Sequence, residues 1–367
     1  MSDEALEMKI PFSNLFRFFS VLFLGVWSAA PLASAQTRPS LAVQLSAGQP
    51  ALSLKGDIGT VYSIQCATDL SPTNHWTDRT ILQVQGDNTV WNDPSASTSQ
   101  RFYRALRVVP PAATNLAFIQ PGTFTMGSPT SEASRDSDEV QHVVTISRGF
   151  WMGKYLVTQG EYLAVVGSNP SYFNGFRSPT DYGTDLSRPV EFVTWLDATN
   201  YCVLRTQHEQ TAGLIPTNCV YRLPTESEWE YACRAGTTTA FYLGSGLHSG
   251  QANFDGQVEY DAALGDFDNP NGIWLQQTSP VGSYAKNAWG LYDMIGNVFE
   301  WCQDWYGTYP GVSVTDPQGA VMGSGRVFRG GAWIAHAQNC RSAQRRYVTP
   351  SVTGYYFGFR VVLALSQ

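Results

Sequence analysis

Short apolar runs separated by turn residues indicate β-strands along residues 40–108. The runs are too short for helices, and Gly-Asp or Ser-Pro pairs separate them. Trp76 and Trp91 would contribute to a core. We predict a small all-β sandwich module over residues 36–109, of the immunoglobulin or fibronectin type, with strands over 41–45, 51–54, 61–66, 80–84, 89–91 and 102–109.

Three capping boxes predict three helices in the later part of the chain. A capping box is a Ser or Thr followed three residues later by an acid that bonds back to the cap. The pairs are Thr158 with Glu161, Thr194 with Asp197 and Thr225 with Glu228. The predicted helices span residues 159–166, 195–205 and 226–234, and Gly167 and Gly236 end the first and the last.

Residues 290–301 and 326–333 combine glycine with bulky aromatic side chains and match neither a helix nor a strand. We call these two stretches the knot. Their glycines indicate positive φ or close backbone approach. Buried irregular backbone needs hydrogen-bond partners, and Asp293, Asn297 and Glu300 are expected to supply them directly or by holding a cation. Because aromatic clusters belong to cores more often than to sites, we interpret the knot as structural rather than catalytic.

The composition describes a globular, loop-rich protein of 367 residues with a net charge of −7. Charged residues make up only 14%, and Lys and Arg form no cluster, which argues against a nucleic-acid partner. The five histidines are scattered without metal-ligand spacing. The proline-rich stretch at residues 110–116 indicates a stiff linker between the β module and a larger domain over 117–367.

Residues 1–35 have the pattern of a signal peptide. Lys9 and Arg17 precede a short apolar run, and Ala33-Ser34-Ala35 matches a small-x-small cleavage site. The run is shorter than the ~20 residues of a spanning helix, so we expect no stable membrane span after cleavage. The prediction is an exported protein, periplasmic or extracellular.

All six cysteines follow this segment, and export would permit disulfides whose connectivity the sequence does not give. Five of the six lie in the larger domain, so at least one stays free or pairs outside it. Cys202 and Cys233 fall on the apolar faces of predicted helices. We expect core thiols of this kind to be inert.

The order of several motifs resembles the formylglycine-generating enzyme, or sulfatase-modifying factor, domain family. The resemblance covers about 250 residues, from Phe118 to Val362. The matching segments are PGTFTMGS at 121–128, DEVQHVVTIS at 138–147, YLVTQGEY at 155–162, RPVEFVTWLDATNYC at 188–202, YRLPTESEWEYACRAG at 221–236, PVGSYAKNAWGLYDMIGNVFEWCQDWY at 280–306, RVFRGGAW at 326–333, NCRSAQR at 339–345 and GFRVV at 358–362.

This resemblance implies an α+β fold class: a compact domain of low regular content, similar to C-type lectins and often carrying calcium. The family's Gly-Asn-Val-x-Glu turn resembles a calcium site, which implies Asn297, Glu300 and the Val298 carbonyl as ligands. Asn253 would lie near a second site. Oxygen ligands suit a structural calcium ion. The alternative is that Asn297 and Glu300 cap buried backbone without an ion.

The segment after the Gly-Gly turn departs from the family's catalytic pattern. Active formylglycine-generating enzymes carry two cysteines there, separated by four residues, which bind copper and oxidise a substrate cysteine with oxygen. Here Cys340 is present and Ala335 stands at the other position. Copper(I) favours two thiolates, so copper is not expected, and Cys340 with His336 is a weak catalytic pair. The predicted binding groove consists of Trp333, His336, Cys340, Arg341 and Arg345.

Two functions are compatible with these observations. The first is an exported binding or accessory module for an unidentified protein, peptide or glycan, with loops 244–287 and 304–325 as its surface. The second is a metal- and oxygen-dependent oxidoreductase of the formylglycine-generating or a related non-haem type. The missing cysteine favours the first. For the three arginines at 341, 345 and 360, structural pairing with buried acids is favoured over an anion-binding groove.

Overall fold

The computed structural model describes residues 39–46, 49–70, 75–95, 100–108, 111, 115–175 and 185–366. The predicted signal peptide and most of the predicted linker lie outside these residues. The chain divides into two compact units. One comprises residues up to 112 together with Ser147–Phe150, and the other comprises residues 113–146 and 151–366.

In the described residues, the first unit contains six strands in two antiparallel sheets. They are β1 (Ser40–Ser46), β2 (Gln49–Lys55), β3 (Val61–Ala67), β4 (Thr77–Gln83), β5 (Thr89–Asn92) and β6 (Phe102–Val108). The sheet orders are β1–β2–β5 and β4–β3–β6. Leu52, Ile64 and Trp91 belong to one hydrophobic core that both sheets share. Buried and less buried positions alternate along β2, as expected for a strand with one face on a core. The predicted β-sandwich is confirmed.

In the part of the chain that the structure describes, the second unit contains three α-helices, and each begins at its predicted capping box. They are α1 (Gln159–Val166), α2 (Trp195–Thr211) and α3 (Glu226–Arg234). Helix α2 continues to Thr211 instead of ending at residue 205. No glycine or proline interrupts the chain until Gly213. Helix α3 is buried along its whole length. Its acids therefore need partners inside the protein.

The strands of the second unit are short, and in the described residues they form four small sheets with orders β11–β19–β10–β7, β17–β16–β14–β18, β15–β9–β8 and β12–β13. Their bounds are β7 (Leu116–Ile119), β8 (Gly122–Met126), β9 (His142–Ile146), β10 (Phe150–Gly153), β11 (Cys219–Arg222), β12 (Val258–Asp261), β13 (Gly265–Asp268), β14 (Phe299–Trp305), β15 (Val314–Thr315), β16 (Arg326–Arg329), β17 (Arg346–Val348), β18 (Phe357–Gly358) and β19 (Val362–Leu365). A single turn of 3₁₀ helix spans Ala337–Cys340. The predicted α+β class with long irregular connections is confirmed.

All six cysteines lie in described residues, and each is a buried free thiol. The structure therefore does not support the disulfide that export would permit. Burial raises the pKa of the Cys202 and Cys233 thiols to about 12, which agrees with inert core cysteines. Within the described part of the chain, no helix is both long and apolar enough to cross a bilayer.

Candidate functional site

The backbone of the knot approaches its neighbours most closely at Gly296. A Cβ there would lie 2.3 Å from the Asn253 carbonyl oxygen, so only glycine fits. The Gly296 N–H donates to the Gly330 carbonyl, and the Asn297 N–H donates to the Asn253 carbonyl, both at 2.7 Å. Asn297 has a φ of 64°, a left-handed conformation that asparagine tolerates. Irregular backbone is confirmed for residues 290–298 and 330–333. The prediction is wrong for residues 299–301 and 326–329, which pair with each other as parts of strands β14 and β16.

Asn297 and Glu300, two of the predicted calcium ligands, are already engaged within the protein. Asn297 Oδ1 accepts the Ser279 N–H at 3.0 Å, and Asn297 Nδ2 donates to the Ser279 carbonyl at 3.1 Å. Glu300 accepts two hydrogen bonds from Arg360, at 2.6 and 2.9 Å, and both side chains are fully buried. Burial raises the pKa of Glu300, and Arg360 opposes that rise. Val298 is fully buried. This set does not fit an ion that takes six to eight oxygen ligands, because its side chains are occupied.

Asn253, the remaining predicted ligand, has a buried oxygen without a partner. Its Oδ1 accepts no hydrogen bond among the described residues, while its Nδ2 donates to the Gln277 carbonyl at 3.0 Å. The side-chain oxygens of Gln277 and Thr278 are also buried without partners. Buried polar atoms are normally satisfied by protein, water or an ion. An unpartnered oxygen of this kind is available to an oxygen-seeking cation or to ordered water, whereas the Asn297 and Glu300 side chains are already occupied.

Cys340 is fully buried inside the domain. Its side chain has no solvent exposure, and its sulfur lies 3.8 Å from the His336 carbonyl oxygen. A Cβ at Gly331 would lie 2.2 Å from that sulfur, so the Gly-Gly turn packs directly on the thiol. Burial raises the pKa of the Cys340 thiol well above its usual range. The thiol is therefore protonated at neutral pH, a form that is neither nucleophile nor metal ligand.

Trp333 lies under a surface of aromatic side chains. Its indole N–H donates to the Tyr355 carbonyl at 3.0 Å, and the two ring centres are 5.8 Å apart. Tyr172 packs 5.6 Å from the same tyrosine ring, and the Trp274 indole donates to the Trp333 carbonyl at 2.9 Å. We call Tyr172, Trp274, Trp333 and Tyr355 the aromatic face. His336, three residues along the chain from Trp333, has a side chain that is 50% exposed.

Arg341 and Arg345, the other predicted groove residues, are held in buried ion pairs. Arg341 contacts Glu132 at 2.7 Å and Glu139 at 2.8 Å. Arg345 makes two hydrogen bonds to Glu226, at 2.8 and 2.7 Å. Both guanidinium charges are neutralised by carboxylates. The structure thus leaves one predicted groove residue, His336, at the surface, whereas Trp333, Cys340, Arg341 and Arg345 are buried.

A second concave site, which the sequence analysis missed, lies beside the N-terminus of α3. It is a cavity of about 260 Å³. Its walls come from widely separated parts of the chain, so no local motif could have indicated it. The wall residues that carry charge, aromatic rings or hydrogen-bonding groups include His142, Glu226, Asp304, Trp305, Tyr309 and Arg345.

Asp304 is the electrostatically unusual residue of this cavity. Its pKa is raised from 3.8 to about 8, first because the carboxyl is buried and second because Glu226 repels its charge. Its Oδ2 accepts the Glu226 N–H at 2.8 Å. The Tyr309 hydroxyl donates to the Glu226 carboxylate at 3.1 Å. The cavity therefore holds a carboxyl that is mostly protonated at neutral pH.

Comparison with known proteins matches residues 107–365 to the sulfatase-modifying factor enzyme 1-like domain. A serine/threonine-protein kinase of Chlamydia caviae is 32% identical over 271 residues, which cover 68% of this chain but only 38% of the kinase. The formylglycine-generating enzyme of Mus musculus is 29% identical over 322 residues, covering 72% of this chain and 81% of that enzyme. A chaperone protein of Paenibacillus barcinonensis is 30% identical over 282 residues, covering 68% and 89%.

Two solved structures are similar in fold. Treponema denticola variable protein 1 aligns with a TM-score of 0.55 and 28% identity, over 74% of this chain and 98% of that protein. PvdO from Pseudomonas aeruginosa aligns with a TM-score of 0.53 and 28% identity, over 68% of this chain and 94% of that protein. The similarity in both comparisons covers most of the chain.

Proposed function

Because this chain belongs to the sulfatase-modifying factor enzyme 1-like domain family, we propose that it is an exported binding or accessory module that lacks formylglycine-generating activity. The export part of the proposal rests on the signal-peptide pattern of residues 1–35. The accessory role is supported by the similarity to a protein named as a chaperone, of which this chain covers 89%.

The observation that carries the proposal is the state of Cys340. Copper(I) needs soft ligands, and the family's reaction uses two cysteines that meet at one site. Here Ala335 occupies one position, and the Cys340 sulfur is enclosed by the Gly-Gly turn with no access to solvent. A substrate thiol would have to displace packed backbone to reach it. The copper-dependent reaction would therefore lack both the pair of cysteine ligands and a path for the substrate thiol to the site.

The aromatic face supports the binding role. Tyr355 is 37% exposed, and Tyr172 and Trp274 are half-buried, so their rings combine accessible area with fixed positions. Rigid aromatic side chains provide large contact area at a low entropic cost. Trp274 also belongs to the loop 244–287 that the sequence indicates as a surface. We propose that this face contacts the protein, peptide or glycan ligand.

A peptide oxidation assay tests the loss of enzymatic activity. A Cys-x-Pro-x-Arg peptide is incubated with copper-loaded protein under air and analysed by mass spectrometry. We expect no mass change corresponding to conversion of the thiol to an aldehyde. The control is the same assay with Cys340→Ser. A conversion that the wild-type protein performs and this variant does not would overturn the proposal.

We further propose that calcium, where the protein uses it, binds through Asn253 and not through the knot. The described residues contain no converging group of three or more His, Cys, Asp or Glu side chains. The ligands would be neutral oxygens, which gives the millimolar affinity typical of extracellular modules.

Thermal unfolding with and without calcium tests this assignment. Millimolar calcium should raise the wild-type Tm, and Asn253→Ala should lose most of that increase. Glu300→Gln, a change in the knot at a side chain that pairs with Arg360 and not with Asn253, serves as the comparison and should keep it. A calcium effect that survives Asn253→Ala would contradict the assignment.

A further inference from the structure

Asp304 is the one acid beside α3 that no arginine pairs among the described residues. The three acids of the helix itself each have such a partner: Glu226 pairs with Arg345, Glu228 with Arg222 and Glu230 with Arg329. Asp304 is only 3% exposed and has no ion pair. A buried carboxyl without a cation is costly in its charged form. Asp304 therefore lacks the direct guanidinium contact that the three helix acids have, although Arg345 is near enough to lower its pKa.

One oxygen of Asp304 is available to the cavity. Its Oδ2 accepts the Glu226 N–H, whereas its Oδ1 accepts no hydrogen bond from the described residues. A Cβ placed on Gly319, a wall residue, would lie 2.9 Å from Oδ1. Gly319 therefore packs closely on Asp304, and only glycine fits at this wall position. A ligand in the cavity would meet this oxygen directly.

The rest of the wall is mainly apolar and contributes no free positive charge. Met126, Pro310, Pro317 and Ala320 supply aliphatic surface. Arg345 also lines the cavity, but its guanidinium is held by two hydrogen bonds to the Glu226 carboxylate and one to a backbone carbonyl. The complementary ligand is a cation that carries a short apolar chain.

We propose that this cavity binds an alkylammonium group, with Asp304 Oδ1 as its counter-ion and the apolar wall around its chain. Either a small free amine or the lysine side chain of a protein partner would supply this alkylammonium group. The proposal does not depend on the proposed function, because it concerns neither Cys340 nor the aromatic face.

The electrostatics of the cavity make binding depend on pH. Charged or titratable groups that act on Asp304 are Glu226 and Glu228 from α3, Arg222 from β11, Cys302 from β14, Arg326 from β16 and Arg345 after the 3₁₀ turn; His142 shares the cavity wall. The pKa of Asp304 is about 8 without a ligand. A cation binds the ionised form, whose fraction rises from roughly 9% at pH 7 to roughly 91% at pH 9. Affinity should rise about tenfold over this interval.

Calorimetric titration of the full chain with hexylammonium chloride at pH 7 and pH 9 tests the proposal. We expect about tenfold tighter binding at pH 9, and no such dependence for 1-hexanol, which has the same chain without the charge. Asp304→Asn keeps the size of the side chain and should abolish the pH dependence. The matched control is Asp268→Asn, which removes one exposed carboxylate elsewhere and should bind like the wild type.

A second variant tests the proposal independently in case Asp304→Asn does not fold. Ala320→Phe fills the cavity while leaving Asp304 in place, and it should abolish hexylammonium binding with unchanged circular dichroism. Titration with Nα-acetyl-lysine methylamide separates the two sources: binding of this probe assigns a partner's lysine, and binding of hexylammonium alone assigns a free amine. Failure of both probes at millimolar concentration, equal binding of 1-hexanol, or pH dependence that persists in Asp304→Asn would overturn the proposal.

Discussion

Individual buried acids of the second unit meet the cost of desolvation in different ways. Glu300 and Arg360 form a fully buried pair with two hydrogen bonds, so the charge is compensated. Asp304 lacks such a partner, and its pKa rises to about 8. Asp293 accepts the Gly282 N–H, and burial raises its pKa to about 6. A buried carboxyl thus forms a structural ion pair at position 300, whereas at positions 293 and 304 burial raises its pKa toward neutral pH.

Removing one member of the Glu300–Arg360 pair should strongly destabilise the second unit. Glu300→Ala leaves a fully buried guanidinium without its carboxylate, and a loss of about 3–5 kcal/mol in the free energy of unfolding is expected. Denaturant unfolding measures it. The double variant Glu300→Ala, Arg360→Ala should lose less than the sum of the two single variants. Strictly additive losses would show that the two residues do not stabilise each other.

Asp304→Asn should change the pH dependence of stability in a defined direction. The pKa of Asp304 is about 8 in the folded state and 3.8 is its ordinary value, so between these pH values the folded state holds a proton that the unfolded state releases. The free energy of unfolding therefore falls as pH rises from about 4 to 8 and then levels. The variant has no such proton, so its stability relative to the wild type should increase over the same window.

Urea unfolding of both proteins at pH 5, 7 and 9 measures this difference. Groups that do not interact with Asp304 contribute equally in the two proteins, so subtraction isolates Asp304 together with its coupling to its neighbours. Asp268→Asn removes an exposed carboxylate and should show a constant difference from the wild type. A constant difference for Asp304→Asn as well would mean that its pKa is not raised.

At the scale of elements, local signals in the sequence were enough to locate the three helices and the strands of the β-sandwich, but not strands such as β14 and β16. The threonine–acid boxes fix helix starts because the cap and its partner are only three residues apart. The site could not be found this way. Arg341 reaches Glu139, 202 residues earlier in the chain, and Gly296 faces the Asn253 carbonyl. Such contacts depend on the folded chain, and the burial of Cys340 and of the Asp304 carboxyl are consequences of them.

Helix α2 offers a direct test of capping. The Thr194 side chain accepts the Asp197 N–H at 3.0 Å, and this donor would otherwise be unsatisfied at the helix start. Thr194→Ala should lower the free energy of unfolding by about 1 kcal/mol. Asn200→Ala, inside the same helix and exposed, should be neutral or slightly stabilising because alanine has the higher helix propensity. Equal losses for the two variants would contradict a special role for the cap.

At the scale of the whole molecule, the family domain and the β-sandwich have separate kinds of core. The sandwich core is one cluster of aliphatic and aromatic residues shared by two sheets. The family domain instead combines small sheets with buried charge pairs and irregular backbone, as at Arg329 and Glu230. Hydrophobic patterning predicted the first kind well, since alternation is sufficient for a sandwich. The second kind depends on polar partners that patterning does not reveal.

Limited proteolysis should separate the two units at the proline-alanine stretch. Between Val108 and Asn115 the sequence reads VPPAATN, with few residues able to build a core and two alanines that elastase accepts. Each unit has its own core, so we expect early cleavage after Ala112 or Ala113 and a stable C-terminal product that begins there. Mass spectrometry identifies the cut. Replacing both alanines with glutamate should remove it without changing Tm, whereas first cleavage inside residues 120–360 would show that the family domain does not persist as a unit without the sandwich.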